Sequence, residues 1–160
     1  MEIAQGVPFD SLGLSEEMLH ALKKKGYEQS TPVQAGCIPP MMAWKDVTAK
    51  APTGTGKTFA FGIPIVEHID TDSSDVQAVI LAPTRELALQ ITSEMREIAQ
   101  FKAGIRMVCL YGGQPIGKQI DTLKKKPQIV IATPGRLGDH LKRHTVRLDK
   151  VETVVLDEAD

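Results

Sequence analysis

The stretch Ala51-Pro52-Thr53-Gly54-Thr55-Gly56-Lys57-Thr58 limits the folds open to this chain more than any other. A short β-prone run, Asp46 to Lys50, precedes it, and Phe59-Ala60-Phe61-Gly62-Ile63, suited to a buried helix, follows. A strand, a Gly-rich turn ending in Lys-Thr and a helix together make a phosphate cradle. Glycines let backbone N–H groups converge on anionic oxygens with no Cβ in the way, and the helix N-terminus adds its positive dipole end. In such a loop Thr53, Gly54, Thr55 and Gly56 wrap the phosphates. Lys57 reaches the β- and γ-phosphates, and the Thr58 hydroxyl ligates Mg²⁺. The general pattern has Gly five residues before its last Gly, where this chain has Ala51.

From residue 47 onward the chain alternates. Apolar β-prone runs at 47–51, 76–82, 105–110, 128–132 and 151–156 start 29, 29, 23 and 23 residues apart, the spacing of βαβ units. Val79-Ile80-Leu81, Val108-Cys109-Leu110, Ile129-Val130-Ile131 and Val154-Val155-Leu156 are apolar without alternation. Strands covered on both faces read this way, so the spacing predicts an α/β fold with a mostly parallel sheet between helices. Ser15 is placed to cap a helix carrying Met18, Leu19 and Leu22 inward, which Gly26 stops. Thr31, Pro32 and Gln34 fit the N-cap, N1 and N3 positions of a second helix, with Gln34 completing a capping box; Pro39 and Pro40 then kink or end it. Thr84 starts a helix with the stripe Leu87, Ile91, Met95, Ile98, and Thr133-Pro134 starts one with Leu137 and Leu141 inward. Residues 1–14 read as an extended leader, and Asp70 to Asp75 as a surface loop.

Composition narrows the partners. At 160 residues and 42% hydrophobic content the chain suits one domain with a sizeable core. A net charge of −1 supplies no global basic field, so nucleic acid must be met by a local patch. Cys37 and Cys109 lie in apolar surroundings and read as buried thiols in a reducing, intracellular setting. No apolar run approaches the roughly 20 residues of a membrane span, and the N-terminus lacks the basic-then-apolar order of a signal peptide. Cytoplasm is the default expectation, with a nucleus or organelle left open.

Val154-Val155-Leu156-Asp157-Glu158 is the second informative stretch. An acidic pair at the C-terminal end of a buried parallel strand lies where open α/β sheets bind ligands. Asp157 there holds Mg²⁺, largely through water, and Glu158 orients and deprotonates an attacking water. Continuing, Asp157-Glu158-Ala159-Asp160 spells the sequence that names the DEAD-box RNA helicases. The chain resembles the first, RecA-like P-loop NTPase domain of that family in the order and spacing of six elements. Phe9, Gly26-Tyr27 and Thr31-Pro32-Val33-Gln34 look like the adenine-sensing Q motif and its upstream aromatic. Ala51 to Thr58 resembles motif I, and Pro83 to Gln90 motif Ia. Gly112-Gly113 matches the GG element, Thr133 to Leu137 motif Ib, and the acidic tetrad completes the set. Residues 1–45 thereby become a Q-motif leader with its helices, and 46–160 a RecA-like core.

The resemblance implies an ATP-dependent RNA helicase, with ATP and Mg²⁺ as cofactors and the RNA backbone as partner. It makes Gln34 the reader of the adenine edge, with Tyr27 packed near the base and Phe9 bracing from the leader. Thr84, Arg85, Gly113, Thr133, Gly135 and Arg136 fall where family members grip RNA phosphates. Lys57, Asp157 and Glu158 become the catalytic set. The family commonly has Gly at the position of Lys45 and an aliphatic residue at that of Thr48. It also carries a Ser-Ala-Thr strand and a second RecA-like domain with arginine fingers, none of which occurs in these residues. From that comparison the chain is expected to bind adenine nucleotide weakly and hydrolyse it negligibly. A gap is expected in the sheet beside the Asp-Glu strand, with self-association as one outcome. Protein cofactors are left unspecified. Two other readings are another P-loop motor, such as a DNA helicase, and a catalytically silent RNA- or partner-binding module.

Overall fold

The structure, a computed structural model, describes residues 6–51 and 56–157. Its elements run α1 (Glu16–Lys24), α2 (Pro32–Met42), α3 (Lys57–His68), β1 (Ala78–Leu81), α4 (Arg85–Ala99), β2 (Met107–Leu110), α5 (Ile116–Leu123), β3 (Ile129–Ala132), α6 (Pro134–Lys142) and β4 (Thr153–Leu156). Two compact units divide the chain. The first takes Met1–His68 and Glu94–Ala103, the second Ile69–Ser93 and Gly104–Asp160.

In the first unit, local chemistry sets the helix boundaries. The Ser15 hydroxyl accepts the Met18 N–H at 3.2 Å and donates to Glu67 at 2.7 Å, so one side chain caps α1 and ties it to α3. Gly26, at φ +81°, takes the left-handed conformation that ends the helix. Thr31 and Gln34 form the reciprocal capping box of α2. Pro39 and Pro40 do not end α2, which continues to Met42. Each proline removes one helical bond and presses its ring toward the carbonyl four residues back. Burial of Cys37 and Ile38 holds the helix through the weak turn, and the Ala43 N–H closes it on the Pro39 and Pro40 carbonyls at 3.1 Å. In α3, Phe59 to Val66 are all buried. Gly62 sits so close to Met95 and Ile98 that a Cβ would lie 2.6 Å from the Met95 sulfur. The leader is not simply extended: Phe9–Ser11 forms a 3-10 turn, and Phe9 is buried, its N–H donating to the Glu28 carbonyl at 3.0 Å.

The second unit is a four-stranded sheet of order β2-β3-β1-β4, with every pair parallel. Ala132 lies opposite both Leu81 and Leu110, and Leu81 opposite Leu156, so all four strands end level. Val79, Val108, Leu110, Val130 and Ala132 form a core with Leu123 of α5, Leu137 of α6 and Val146. Ile80, Ile129 and Ile131, pointing from the opposite face, are fully buried too. Both central strands are therefore covered on both sides, as their unbroken apolar runs predict. At the bottom of the sheet two buried glutamines stand in for missing ladder partners. Gln77 exchanges both amide bonds with the Asp70 backbone, at 2.8 and 2.9 Å. Gln128 accepts from the Arg106 N–H at 2.7 Å and donates to the Gly104 carbonyl at 2.9 Å.

Four sequence expectations fail. Residues 47–51 form no strand, because a β-prone run becomes a strand only where a neighbour completes its ladder, and none does so among the described residues. Strand β4 is covered on one face only: Val154 is 60% and Leu156 62% exposed. Cys109 is half-buried rather than buried, since β2 is an edge strand, although neither cysteine forms a disulfide. Leu141 is exposed, and His140 points inward in its place. No helix among the described residues is long and apolar enough to cross a membrane.

Candidate nucleotide and nucleic-acid sites

In the first unit the candidate nucleotide residues gather around Gln34. Its side chain is buried, and its Oε1 accepts the Thr31 N–H at 2.9 Å while its Nε2 donates to the Gly56 carbonyl at 3.1 Å. The capping residue of α2 is thus bonded to the turn that opens α3. Gly56 holds φ at +81°, and a Cβ there would come within 2.2 Å of the Gln34 Nε2. Only glycine meets both conditions. Lys57 and Thr58, both half-buried, form the first turn of α3, where the helix dipole favours anions. Tyr27 is half exposed, its ring 5.7 Å from Phe59 and tilted by 59°. Behind it, Lys25 pairs with Glu97 while its Nζ lies 5.7 Å from the Tyr27 ring centroid. That ion pair raises the lysine's pKa above its ordinary value, chiefly through the hydrogen bond to Glu97. The Lys25–Glu97 contact links residues too far apart in sequence for spacing to reveal it. Phe9 is buried within the first unit. Thr53, Gly54, Thr55 and Glu158 lie outside the described residues.

In the second unit the candidates collect at the C-terminal ends of the strands, where parallel sheets bind ligands. Thr84 follows β1, Gly113 follows β2, Thr133 follows β3 and Asp157 follows β4. Because the strands end level, these four loops leave the same edge. The Thr84 hydroxyl accepts the Leu87 N–H at 3.2 Å and caps α4. Thr133 occupies the N-cap of α6 without a side-chain cap bond, so that helix starts on the fixed φ of Pro134 alone. Gly135, in the first turn of α6, is exposed and has open space around it. Arg85 is exposed, with its guanidinium 5.1 Å from the Tyr111 ring centroid. A Cβ on Gly113, which holds φ at +92°, would stand 3.5 Å from the Arg85 Nη1. Two helix N-termini, an arginine and an open glycine backbone are groups chemically able to hold phosphates without reading bases. Asp157 is buried, its N–H donating to the Leu81 carbonyl at 3.0 Å.

Arg136 is engaged within the protein. Its Nη1 donates to the Gln114 carbonyl at 2.9 Å and to the Gln119 Oε1 at 3.2 Å, and its Nε pairs with Asp139 at 3.5 Å. Behind it lies a polar cluster the sequence reading missed. His140, fully buried, holds Gln119 and Thr145, each at 2.8 Å. Burial lowers its pKa, and the Arg136 charge lowers it further. The available signal was a glutamine at the inward position between Ile116 and Leu123, and a histidine three residues after Leu137.

Residues 31–160 match the DEAD/DEAH box helicase family. The chain belongs to that family. It is 51% identical over 152 residues to the ATP-dependent RNA helicase CshA of Limosilactobacillus reuteri, covering 95% of this chain and 30% of that protein. With the DEAD-box ATP-dependent RNA helicase CshA of Bacillus licheniformis the identity is 53% over 154 residues, 96% of this chain and 31% of the relative. The chain therefore spans about a third of the length of these relatives. The crystal structure of a DEAD box protein from the hyperthermophile Methanococcus jannaschii superposes with a TM-score of 0.91 at 38% identity, over 97% of this chain and 42% of that one. The expected RecA-like α/β domain of a DEAD-box protein is the fold observed.

Proposed function

We propose that this chain is the ATP- and RNA-binding first domain of an ATP-dependent RNA helicase, and that its Q-motif helix reads adenine. The observation that carries the nucleotide assignment is the Gln34 side chain, bonded at once to Thr31 and to the Gly56 carbonyl. A glutamine amide has two acceptor positions on its oxygen and two N–H groups. One of each is used, so one of each remains for the adenine amino group and ring nitrogen, a bidentate match. Base recognition and the shape of the phosphate turn are then coupled through a single side chain. The names of the CshA relatives support the helicase assignment, as does the phosphate edge of the second unit, which suits a strand held by its backbone.

The Thr58 hydroxyl of the first unit and the Asp157 carboxylate of the second are each hard oxygen donors of the kind Mg²⁺ takes, an ion that keeps most of its water and needs few protein groups. No group of three or more His, Cys, Asp or Glu that could form an all-protein cage exists among the described residues. When bound, the ion would neutralise phosphate charge; Lys57 would orient the terminal phosphate, and Glu158 would accept a proton from water. Hydrolysis in such enzymes relies on arginine fingers worth about 10³-fold or more. Residues 1–160 assayed by themselves are therefore expected to bind nucleotide and hydrolyse it negligibly. RNA-stimulated steady turnover by residues 1–160 alone would overturn that expectation. The exposed Val154 and Leu156 give β4 an apolar face that we propose drives weak self-association.

Titrating ATP and GTP against wild type and Gln34→Ala tests the adenine assignment. Wild type should prefer ATP, and the substitution should erase the preference, through an affinity loss of about tenfold for ATP. Equal binding of both nucleotides by wild type would leave only a generic phosphate loop.

A further inference from the structure

A buried polar chain runs from the middle of α6 to the turn after β2. Gln119 donates its Nε2 to the Tyr111 carbonyl at 2.9 Å and to the Gln114 Oε1 at 2.9 Å. Its Oε1 must therefore accept, and it does so from the Arg136 Nη1 and from His140. The proton of the His140 ring is thereby fixed on Nε2. Its Nδ1 lies 2.8 Å from the Thr145 hydroxyl, whose one proton is shared between that nitrogen and the His140 carbonyl at 3.1 Å. Burial and the nearby Arg136 charge favour this neutral form. Arg136 closes the circuit on the Gln114 carbonyl. Gln119 is 1% and His140 0% exposed. Neither can touch a ligand, yet Gln119 bonds both ends of the turn Tyr111-Gly112-Gly113-Gln114, and His140 holds Gln119.

That turn carries two features of the phosphate edge. Gly113 holds a positive φ that leaves its backbone bare, and Tyr111 lies under the Arg85 guanidinium. A buried polar network persists only where each member is satisfied, and a satisfied one fixes a single arrangement. We propose that Gln119 and His140 are positioning residues for RNA binding: they hold the 111–114 turn and Arg136 so that the Gly113 backbone and Arg85 face one phosphate strand. Arg136 acts in this scheme as a brace. The proposal rests on the RNA-backbone reading given above.

The variants separate the two ring nitrogens of His140. In His140→Gln the amide nitrogen replaces Nε2 and keeps the bond to Gln119; in His140→Asn the shorter amide reaches only the place of Nδ1 and leaves Gln119 without that donor. Binding of a fluorescein-labelled oligouridine is measured against salt for wild type, both His140 variants, Gln119→Leu and Arg85→Ala. Backbone ¹⁵N relaxation of Gly113 and Gln114 is recorded alongside. His140→Asn and Gln119→Leu should bind about tenfold more weakly, with the salt slope reduced by about one. The order parameters of Gly113 and Gln114 should fall from about 0.85 toward 0.6. His140→Gln should stay close to wild type in both. If Arg85→Ala weakens binding while His140→Asn leaves affinity and order parameters unchanged, the positioning role is overturned and the RNA reading stands. If wild type shows no salt-dependent binding and Arg85→Ala changes nothing, the RNA reading falls and this inference with it. Loss in both His140 variants alike would also overturn it, since the Nε2 donor would then not matter.

Discussion

Gly56 and Gln34 are each constrained by the other. The glycine must have a positive φ, and its missing Cβ is the space the Gln34 amide occupies. Gly56→Ala therefore meets two penalties, a strained backbone and a collision at 2.2 Å. It is expected to displace Gln34, break its bond to the Gly56 carbonyl, and lower both stability and nucleotide affinity. A loss of about 1–3 kcal/mol in urea unfolding is the expected scale for strain plus a buried amide left unpaired. Gln34→Ala in the same background distinguishes the causes. If the collision dominates, adding the second substitution should recover part of the stability lost by the first, a non-additive cycle. Simple additivity would show that the two residues act separately.

At the scale of elements, what the sequence discloses depends on how local the cause is. Ser15 and Thr31 cap their helices as expected, because a cap is decided within four residues. The apolar runs of β1 and β3 likewise announce strands buried on both faces. Pro39 and Pro40 do not end α2 at once, because the burial that carries it on to Met42 comes from tertiary packing. The run at 47–51 misled for the opposite reason, since pairing is settled by a partner and not by composition. His140 was hidden by Leu141, its neighbour of stronger apolar character, and only the contact with Gln119 shows which of the two turns inward. Within the candidate sites, the glycine-rich stretch, Gln34 and the loop residues were legible as motifs, whereas the polar cluster behind Arg136 was not. The glutamines below the sheet offer a test of long-range polar packing. Gln128→Leu leaves the half-buried Arg106 N–H without its partner, while the exposed Gly104 carbonyl keeps the Arg106 Nη1 at 3.1 Å. The expected cost is about 1–3 kcal/mol, from one unmet backbone group, read by chemical denaturation. An unchanged midpoint would mean water satisfies it.

For the whole molecule, two buried groups set opposite limits on the pH range of stability. His140 has its pKa lowered in the fold from an ordinary 6.5, by burial first and then by Arg136, with Arg143 adding to the effect and Asp139 opposing it. The unfolded chain accordingly takes up the proton first as the solution is acidified. The stability that neutral His140 contributes is complete above about pH 6.5 and is lost as pH falls through the folded value. Cys37 behaves in the reverse sense: burial raises its thiol above 9.0, so the unfolded chain ionises first, and stability falls as pH rises through the folded value. Urea midpoints measured from about pH 5 to about pH 10 should therefore pass through a plateau near neutrality. The acidic shoulder should be shallower in His140→Gln, which has no proton to gain, and the alkaline one shallower in Cys37→Ala. The comparison is between slopes, so the overall stability each variant loses does not affect it. Parallel acidic slopes for wild type and His140→Gln would mean that His140 binds protons alike in both states, despite its burial and its place between Gln119 and Thr145.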